Sequence, residues 1–154
     1  MNGLRIYIED VPFDGLHVEG ELGADLLGLS DGEFVESHEA LRYSLDVSLV
    51  SGEFLVFGSL AVKLRLMCSR CSVMFDSVVE EPQYSFNVQV EKNCEYVDLT
   101  ADVREAIILA FSSYPVCSEE CKGLCAQCGA NLNDGECGCA QAVDERWAGL
   151  DGLR

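Results

Sequence analysis

The chain has 154 residues, a length that favours one domain with a small appendage and that allows a hydrophobic core. Its formal net charge of −17 at pH 7 repels the phosphates of DNA and RNA over the molecule as a whole and favours basic partners. The sequence contains no apolar run of membrane-helix length and no secretory signal pattern, so a cytoplasmic protein without membrane contact is expected.

The N-terminal part is acidic and only weakly patterned. Residues 4–11 alternate between apolar and polar and are predicted to form a first strand. Residues 13–40 are interpreted as a short strand, a loop and a helical turn. The first forty residues carry ten acidic side chains against a single basic one, Arg5. From residue 41 to 49 every second side chain is apolar, which predicts a strand with one buried face.

A hairpin with a cysteine-containing turn is predicted next. Ser51-Gly52-Glu53 is typical of a turn, and the alternation over residues 60–66 predicts a second strand. That strand runs into Cys68-Ser69-Arg70-Cys71, which is predicted to form the following turn. Residues 73–79 and 83–90 predict a third and a fourth strand. Short strands joined by short turns indicate an antiparallel meander.

One main helix is predicted after the meander. Thr100 is the expected N-cap, and Asp102 lies in the first turn, where the helix dipole favours a carboxylate. The helix is expected to end before Pro115, because the residue before a proline avoids the α region. The apolar stripe that faces the core consists of Val103, Ala106, Ile107, Ala110 and Phe111.

The composition changes after Pro115. Residues 117–139 contain six of the nine cysteines and few large apolar side chains, so this segment cannot order itself by hydrophobic burial. Val143, Trp147 and Leu150 fall at helical spacing and predict a short closing helix that packs on its own domain, with a docking peptide as the alternative. The sequence thus predicts an α+β fold with an antiparallel sheet over residues 1–115 and a zinc-binding tail over residues 116–154.

The cysteines have the spacing of metal ligands. In a reducing compartment disulfides do not persist, and clustered thiols there usually bind metal or do redox work. Zinc binds four thiolates in a tetrahedron, and two CxxC pairs with further cysteine pairs are a strong signal for such binding. Gly129 follows one pair and tolerates the positive φ of a tight turn. The candidate ligands are Cys68, Cys71, Cys117, Cys121, Cys125, Cys128, Cys137 and Cys139.

Two groupings of these eight cysteines are open. In the first, the first four residues in chain order form one site that joins the hairpin tip to the segment after the helix, and the last four form a local site in the tail. In the second, Cys68 and Cys71 share an ion with Cys125 and Cys128, as in a zinc ribbon. The two groupings imply two zinc ions, or one if only a single site forms. Cys94 is left over and is interpreted as a small, half-buried apolar side chain.

No catalytic pattern accompanies the cysteines. Catalytic zinc keeps an open position and usually has histidine or carboxylate ligands, whereas His17 and His38 lie far upstream and are expected on the surface. A CxxC oxidoreductase needs an activated thiolate, often at a helix N-terminus, but Cys68 lies between two strands. A non-enzyme without a small-molecule substrate is therefore expected. The alternatives are a thiol redox protein or switch, and a zinc-ribbon transcription regulator.

These residues together resemble a known family. The strand ending in Cys68-Ser69-Arg70-Cys71, the helix from Asp102 to Phe111 and the segment from Pro115 to Asn133 are similar to the YceD-type family of large ribosomal RNA subunit accumulation proteins. The CKGLC-x2-CG-x-NLN run is the most specific part. The resemblance covers about residues 40–150 and departs from the family where Glu145 replaces a common proline.

The resemblance implies a role in accumulating large-subunit rRNA, and it implies no known reaction. It also implies that the hairpin pair of cysteines is general to the family and the tail set optional, which favours the first grouping. Two contact hypotheses follow. Lys63, Arg65 and Arg70 form a local basic stretch that contacts rRNA, or the acidic N-terminal part holds a basic ribosomal protein. The alternative to an RNA contact is that these three cations only keep one exposed strand face solvated. Separately, iron can replace zinc in four-thiolate sites.

Overall fold

The computed structural model describes residues 3–28, 35–37, 39–91 and 93–139. The predicted closing helix with Val143, Trp147 and Leu150 lies outside the described residues, as does His38. The division into segments 1–115 and 116–154 stays a prediction. No helix in the described part of the chain is long and apolar enough to cross a membrane.

The main sheet has five antiparallel strands built around one long central strand. The 15-residue strand β5 pairs along its whole length with β6, along its first part with β4, and near its end with β3. Strand β2 extends the sheet on the far side of β4. These strands are β2 Leu16–Leu22, β3 Val35–Ser37, β4 Leu41–Val50, β5 Glu53–Met67 and β6 Met74–Gln89.

A second, two-stranded sheet joins the two ends of the domain. Strand β1, Arg5–Tyr7, pairs antiparallel with β7, Tyr96–Asp98. The predicted first strand is therefore only three residues long and is followed by a short 3-10 helix, Ile8–Asp10. A second 3-10 helix, Ala24–Leu27, is the predicted helical turn. The main helix α1, Thr100–Leu109, follows β7, so the predicted antiparallel sheet with one main helix is confirmed.

One face of the main sheet is buried under α1. Along β5 the side chains of Phe54, Val56 and Leu60 are almost fully buried, whereas the intervening positions face outward. The helix contributes Val103 and Ile107, both with no exposed surface, to the same core. This is the alternation that the sequence predicts, and within the described residues no element covers the other face of the sheet, which we refer to as the open face.

The third and fourth predicted strands are one continuous strand, which corrects the prediction. The register of β6 against β5 shifts between Gly58 and Leu60, so that Pro82 and Gln83 together face Ser59. Such a bulge keeps inward side chains on one face although their parity in the sequence changes. Proline is tolerated because β6 is an edge strand within the described residues. Because the alternation of apolar and polar residues shifts by one position at the bulge, the sequence pattern predicted two strands where there is one.

The start of α1 also differs from the prediction. Leu99, not Thr100, occupies the N-cap position, and it provides no side-chain cap. The Thr100 hydroxyl instead accepts a hydrogen bond from the backbone N–H of Leu4 at 2.8 Å, and the Thr100 N–H donates to the Asp98 carboxylate at 3.0 Å. Hydrogen bonds from Thr100, and then from Arg5, hold the pKa of Asp98 below its usual value. The helix start is thus fixed by the small sheet.

Gly58 is the position where the bulge tolerates no side chain. A Cβ atom there would collide with the carbonyl oxygen of Ser44 and lie 2.8 Å from the Cα of Leu45. We expect Gly58→Ala to lower the free energy of unfolding by about 2 kcal/mol, because the backbone of β4 has to move. The exposed neighbour Ser59→Ala is the control and should change it by less than about 0.5 kcal/mol in urea unfolding. Equal effects of the two substitutions would contradict this packing argument.

Candidate metal centre

The first cysteine pair lies in the tight turn between β5 and β6. The backbone N–H of Cys68 donates to the carbonyl of Val73 at 2.9 Å, and the N–H of Ser72 donates back to the carbonyl of Cys68 at 2.9 Å. Ser72 has a positive φ of 58°, which closes the turn. This turn directs Cys68 and Cys71 to the same side, where both are almost fully buried.

The segment after α1 is attached to this turn by its backbone. Both the N–H and the hydroxyl of Ser69 donate to the carbonyl of Pro115, at 2.8 and 2.9 Å. Cys117 and Cys121 follow and come close to the hairpin pair. Phe75 and Val116 cover the cluster from the side of the sheet. The predicted connection between hairpin tip and post-helix segment is therefore present.

The four sulfur atoms of this first cluster fit one tetrahedral ion. The Sγ atoms of Cys68 and Cys121 are 3.9 Å apart, and those of Cys71 and Cys117 are 3.7 Å apart. All four lie within 4.8 Å of one another. Sulfurs bound to one zinc at about 2.3 Å occupy tetrahedral corners about 3.8 Å apart. The spacing is far too long for disulfides and matches a shared metal ion.

The last four cysteines form a second cluster in the tail. The sulfurs of Cys125, Cys128, Cys137 and Cys139 also lie within 4.8 Å of one another, but the residues are half-buried or exposed. The N–H of Gly129 donates to the carbonyl of Cys125, and Gly129 has the predicted positive φ, 73°. The structure thus brings the eight predicted cysteines together in the first of the two groupings and not in the ribbon grouping.

Asn133 ties the tail backbone to the first cluster. Its side-chain N–H donates to the Sγ of Cys121 at 3.3 Å, and its side-chain carbonyl accepts from the backbone N–H of Lys122 at 2.8 Å. The same amide donates to the side chain of Asn131, a residue that pairs in an isolated bridge with Leu124. No role for Asn133 was predicted from the sequence. The polar NLN run just after the last CxxC pair is the sequence feature that could have indicated one.

Arg70 has a structural role that differs from the predicted RNA contact. Its Nη1 donates to the carbonyls of Glu119 and Cys121 at 3.1 and 3.2 Å, and its own carbonyl accepts from the N–H of Leu124 at 3.1 Å. Gly123 has a φ of 76°, and a Cβ there would lie 3.0 Å from the Arg70 carbonyl. Arg70 therefore clamps the post-helix segment around the first cluster.

The other two predicted basic contacts face outward beside acidic groups. Lys63 Nζ lies 3.5 Å from a carboxylate oxygen of Glu39, which also pairs with Arg42 at 3.6 Å. Arg65 is opposite Asp76 in the strand register. Lys63 and Arg65 have no acidic neighbours along the chain, but in the structure the adjacent segments place Glu39 and Asp76 beside them.

In each cluster, hydrogen bonds and neighbouring groups lower the pKa of some thiols and raise the pKa of others. Burial alone would raise the pKa of Cys68, but backbone N–H groups of Cys117, Cys71 and Arg70 outweigh it and lower the pKa to about 6. Neighbouring Cys121 and burial raise the pKa of Cys117 to about 12. In the tail, the N–H groups of Cys128 and Gln127 lower the pKa of Cys125 to about 6. Four thiolates repel one another, so a divalent cation is what allows all of them to ionise together.

Two other candidate residues lie away from the clusters. Cys94 is half-buried, and its Sγ donates to the Tyr96 carbonyl at 3.2 Å. His17 is on the open sheet face, 2.7 Å from Asp46, with Ser44 Oγ at 3.5 Å from its other nitrogen. This Ser-His-Asp order follows from strand register, since His17 is directly opposite Asp46 and Ser44 is two residues along the same strand. At 3.5 Å the Ser–His contact is at the outer limit of a hydrogen bond.

The cluster region matches a protein-family model. Residues 87–154 match the model of the large ribosomal RNA subunit accumulation protein YceD. The YceD-type resemblance is confirmed. The match includes the whole second cluster and two ligands of the first, whereas Cys68 and Cys71 precede the matched residues.

Two curated proteins are similar to this chain, and one of them carries the YceD name. The chain is 34% identical over 59 residues to the large ribosomal RNA subunit accumulation protein YCED homolog 1, chloroplastic, of Arabidopsis thaliana, which covers 38% of this chain and 18% of that protein. It is 26% identical over 151 residues to an uncharacterized protein of Mycobacterium tuberculosis, covering 89% of this chain and 70% of that protein. No solved structure matches.

The two clusters predict separable losses of metal. We expect Cys139→Ser to remove one metal ion per chain and leave the first cluster loaded, because the clusters share no sulfur. Cys68→Ser should remove the other ion and also lower the melting temperature, since the first cluster joins the hairpin to the post-helix segment. Elemental analysis of natively purified protein measures both. Cys94→Ser is the control and should keep the full metal content, whereas loss of both ions in Cys139→Ser would contradict two independent clusters.

The hydrogen bond from Asn133 to the Cys121 sulfur predicts an effect on the rate of metal release. We expect Asn133→Ala to speed metal release from the first cluster about tenfold, because a donor to a ligating sulfur is lost. Asn133→Asp should have a larger effect, since it adds negative charge beside the Cys121 thiolate. Release into an excess of a chromogenic chelator gives the rates. Asn87→Ala is the control. It removes an amide hydrogen bond to Glu53 on the surface of the sheet and should leave the rates of metal release from both clusters unchanged.

Proposed function

We propose that this protein is a non-enzymatic, zinc-binding accessory factor for biogenesis of the large ribosomal subunit, and that it supports accumulation of large-subunit rRNA in the cytoplasm. The observation that carries the proposal is the YceD family match over residues 87–154, which coincides with the cysteine-rich segment. The Arabidopsis relative is named for the same process, accumulation of the large ribosomal RNA subunit.

The donor set supports a structural metal. Each cluster offers four thiolates and neither includes a histidine or a carboxylate. Catalytic zinc sites usually leave one position for water or substrate, whereas closed all-cysteine sites are structural. Three of the four cysteines of the first cluster are buried, with Cys68 only 1% exposed, and Cys117 alone among them is exposed, which limits the access of a substrate. The proposed role of the metal is therefore to hold the tail on the sheet.

Zinc is the proposed metal, with two ions per chain. Iron also accepts four thiolates and would redirect the function toward electron transfer or sensing. Zinc and iron counted together in protein purified under reducing conditions separate these possibilities. Two zinc ions per chain are expected. Protein without metal and with eight titratable thiols in the clusters would support the rival function, a thiol redox protein.

The assembly role predicts an rRNA phenotype that depends on the first cluster. We expect depletion in the host to lower the ratio of large-subunit to small-subunit rRNA and to reduce free large subunits on a sucrose gradient. A plasmid copy with Cys94→Ser should restore both, whereas a copy with Cys68→Ser and Cys71→Ser should not. Immunoblots of the variants show whether protein levels are equal. Normal rRNA and normal subunits after depletion would refute the proposed function.

The direct partner is proposed to be large-subunit rRNA or a basic ribosomal protein. Two of the three predicted RNA-contacting cations are engaged within the chain, Lys63 by Glu39 and Arg70 by backbone carbonyls. With a net charge of −17, these observations favour the basic protein.

A further inference from the structure

The open face of the main sheet contains a shallow depression at the bulge. It has a volume of about 600 Å³ and lies between β4, β5 and β6, with Ser44, Asp46, Phe57, Ser59 and Pro82 in its wall. The depression lies where the bulge of β6 interrupts the regular register with β5 and bends the edge strand. We refer to it as the Phe57 depression.

The chemistry of the Phe57 depression suits a cationic side chain. Phe57 is 55% exposed although it lies in the middle of the sheet, and its cross-strand neighbours are Asp46 and Ser85. The Asp46 side chain is 74% exposed, and among the described residues its partner is His17. An aromatic face next to a carboxylate binds lysine ammonium or arginine guanidinium groups, by cation–π attraction and by charge-assisted hydrogen bonds.

The surroundings of the depression have the complementary charge. Glu19 and Glu21 on β2 and Glu80 on β6 point to the same open face and are exposed. The nearest cations on this face, Arg42 and Lys63, are paired with Glu39. The charges around the depression are therefore mostly negative, which disfavours phosphate groups and attracts a basic protein segment.

We propose that the Phe57 depression is the docking point for a lysine or arginine side chain of a basic partner protein. The Phe57 ring and the Asp46 carboxylate make the two principal contacts. Strand β6 is an edge strand in the described residues, so an extended segment of the partner can lie beside it without displacing another strand. The inference rests on the proposed function only for the nature of the natural partner, a ribosomal protein.

The test uses the metal-loaded protein and a fluorescein-labelled octa-arginine peptide, with binding measured by anisotropy at several salt concentrations. Phe57→Ala should weaken binding about fivefold without a change in net charge. Tyr114→Ala is its control, because Tyr114 is an aromatic residue that is 79% exposed elsewhere. Asp46→Asn should weaken binding about fivefold more than Asp10→Asn, an exposed site with the same charge change. Thermal unfolding of each variant shows that the fold is retained.

Three outcomes would overturn the docking site. Equal affinities for Phe57→Ala and Tyr114→Ala would show that the peptide senses only overall charge. Equal affinities for Asp46→Asn and Asp10→Asn would exclude the carboxylate. Tight binding of a labelled large-subunit rRNA fragment that is lost in Phe57→Ala would assign this face to RNA. These results are independent of the depletion experiment, so a normal rRNA ratio after depletion would refute the assembly role and leave the docking site standing.

Discussion

Residues 115–139 meet the sheet at a cluster of four sulfur atoms, two from the tip of the β5–β6 hairpin and two from the segment after α1. This segment has few large apolar side chains, and the entropy of ordering it cannot be offset by hydrophobic burial. The first cluster replaces the missing core with two cysteines from the β5–β6 turn and two from the segment after α1. Backbone hydrogen bonds from Ser69 to Pro115, and from Leu124 to Arg70, then fix the chain on both sides of the cluster.

Much of the fold could be predicted from side-chain periodicity. The alternation of β4 and β5 and the apolar stripe of α1 were read correctly, because one face of each element is buried and the other is solvated. The spacing of the cysteines left the hairpin-and-tail grouping and the ribbon grouping both open, and the family resemblance favoured the first. The structure selects between them through distances that no sequence pattern contains.

The errors have physical causes. The bulge at Pro82 shifts the parity of β6, so local alternation predicted two strands where there is one. Threonine is a typical N-cap residue, but the small sheet places Leu4 beside Thr100, and the Thr100 hydroxyl accepts a hydrogen bond from the Leu4 N–H instead of capping the helix. Long-range pairing, which local sequence patterns do not contain, explains both errors. The contact of Lys63, Arg65 and Arg70 with rRNA stays a prediction, although Lys63 and Arg70 also have partners within the chain, on other elements.

The two clusters close loops of very different length. Ligands of the first are separated by 46 residues or more across the hairpin and helix, whereas Cys125 and Cys139 lie 14 positions apart. Loop closure costs the first cluster about 1 kcal/mol more, and it also requires that β5, β6 and α1 are already in place. The tail cluster can therefore assemble from a local segment alone, whereas the hairpin cluster assembles only after the sheet and helix have formed. For a metal bound at both clusters, this order makes the hairpin site the one that depends on the tertiary fold.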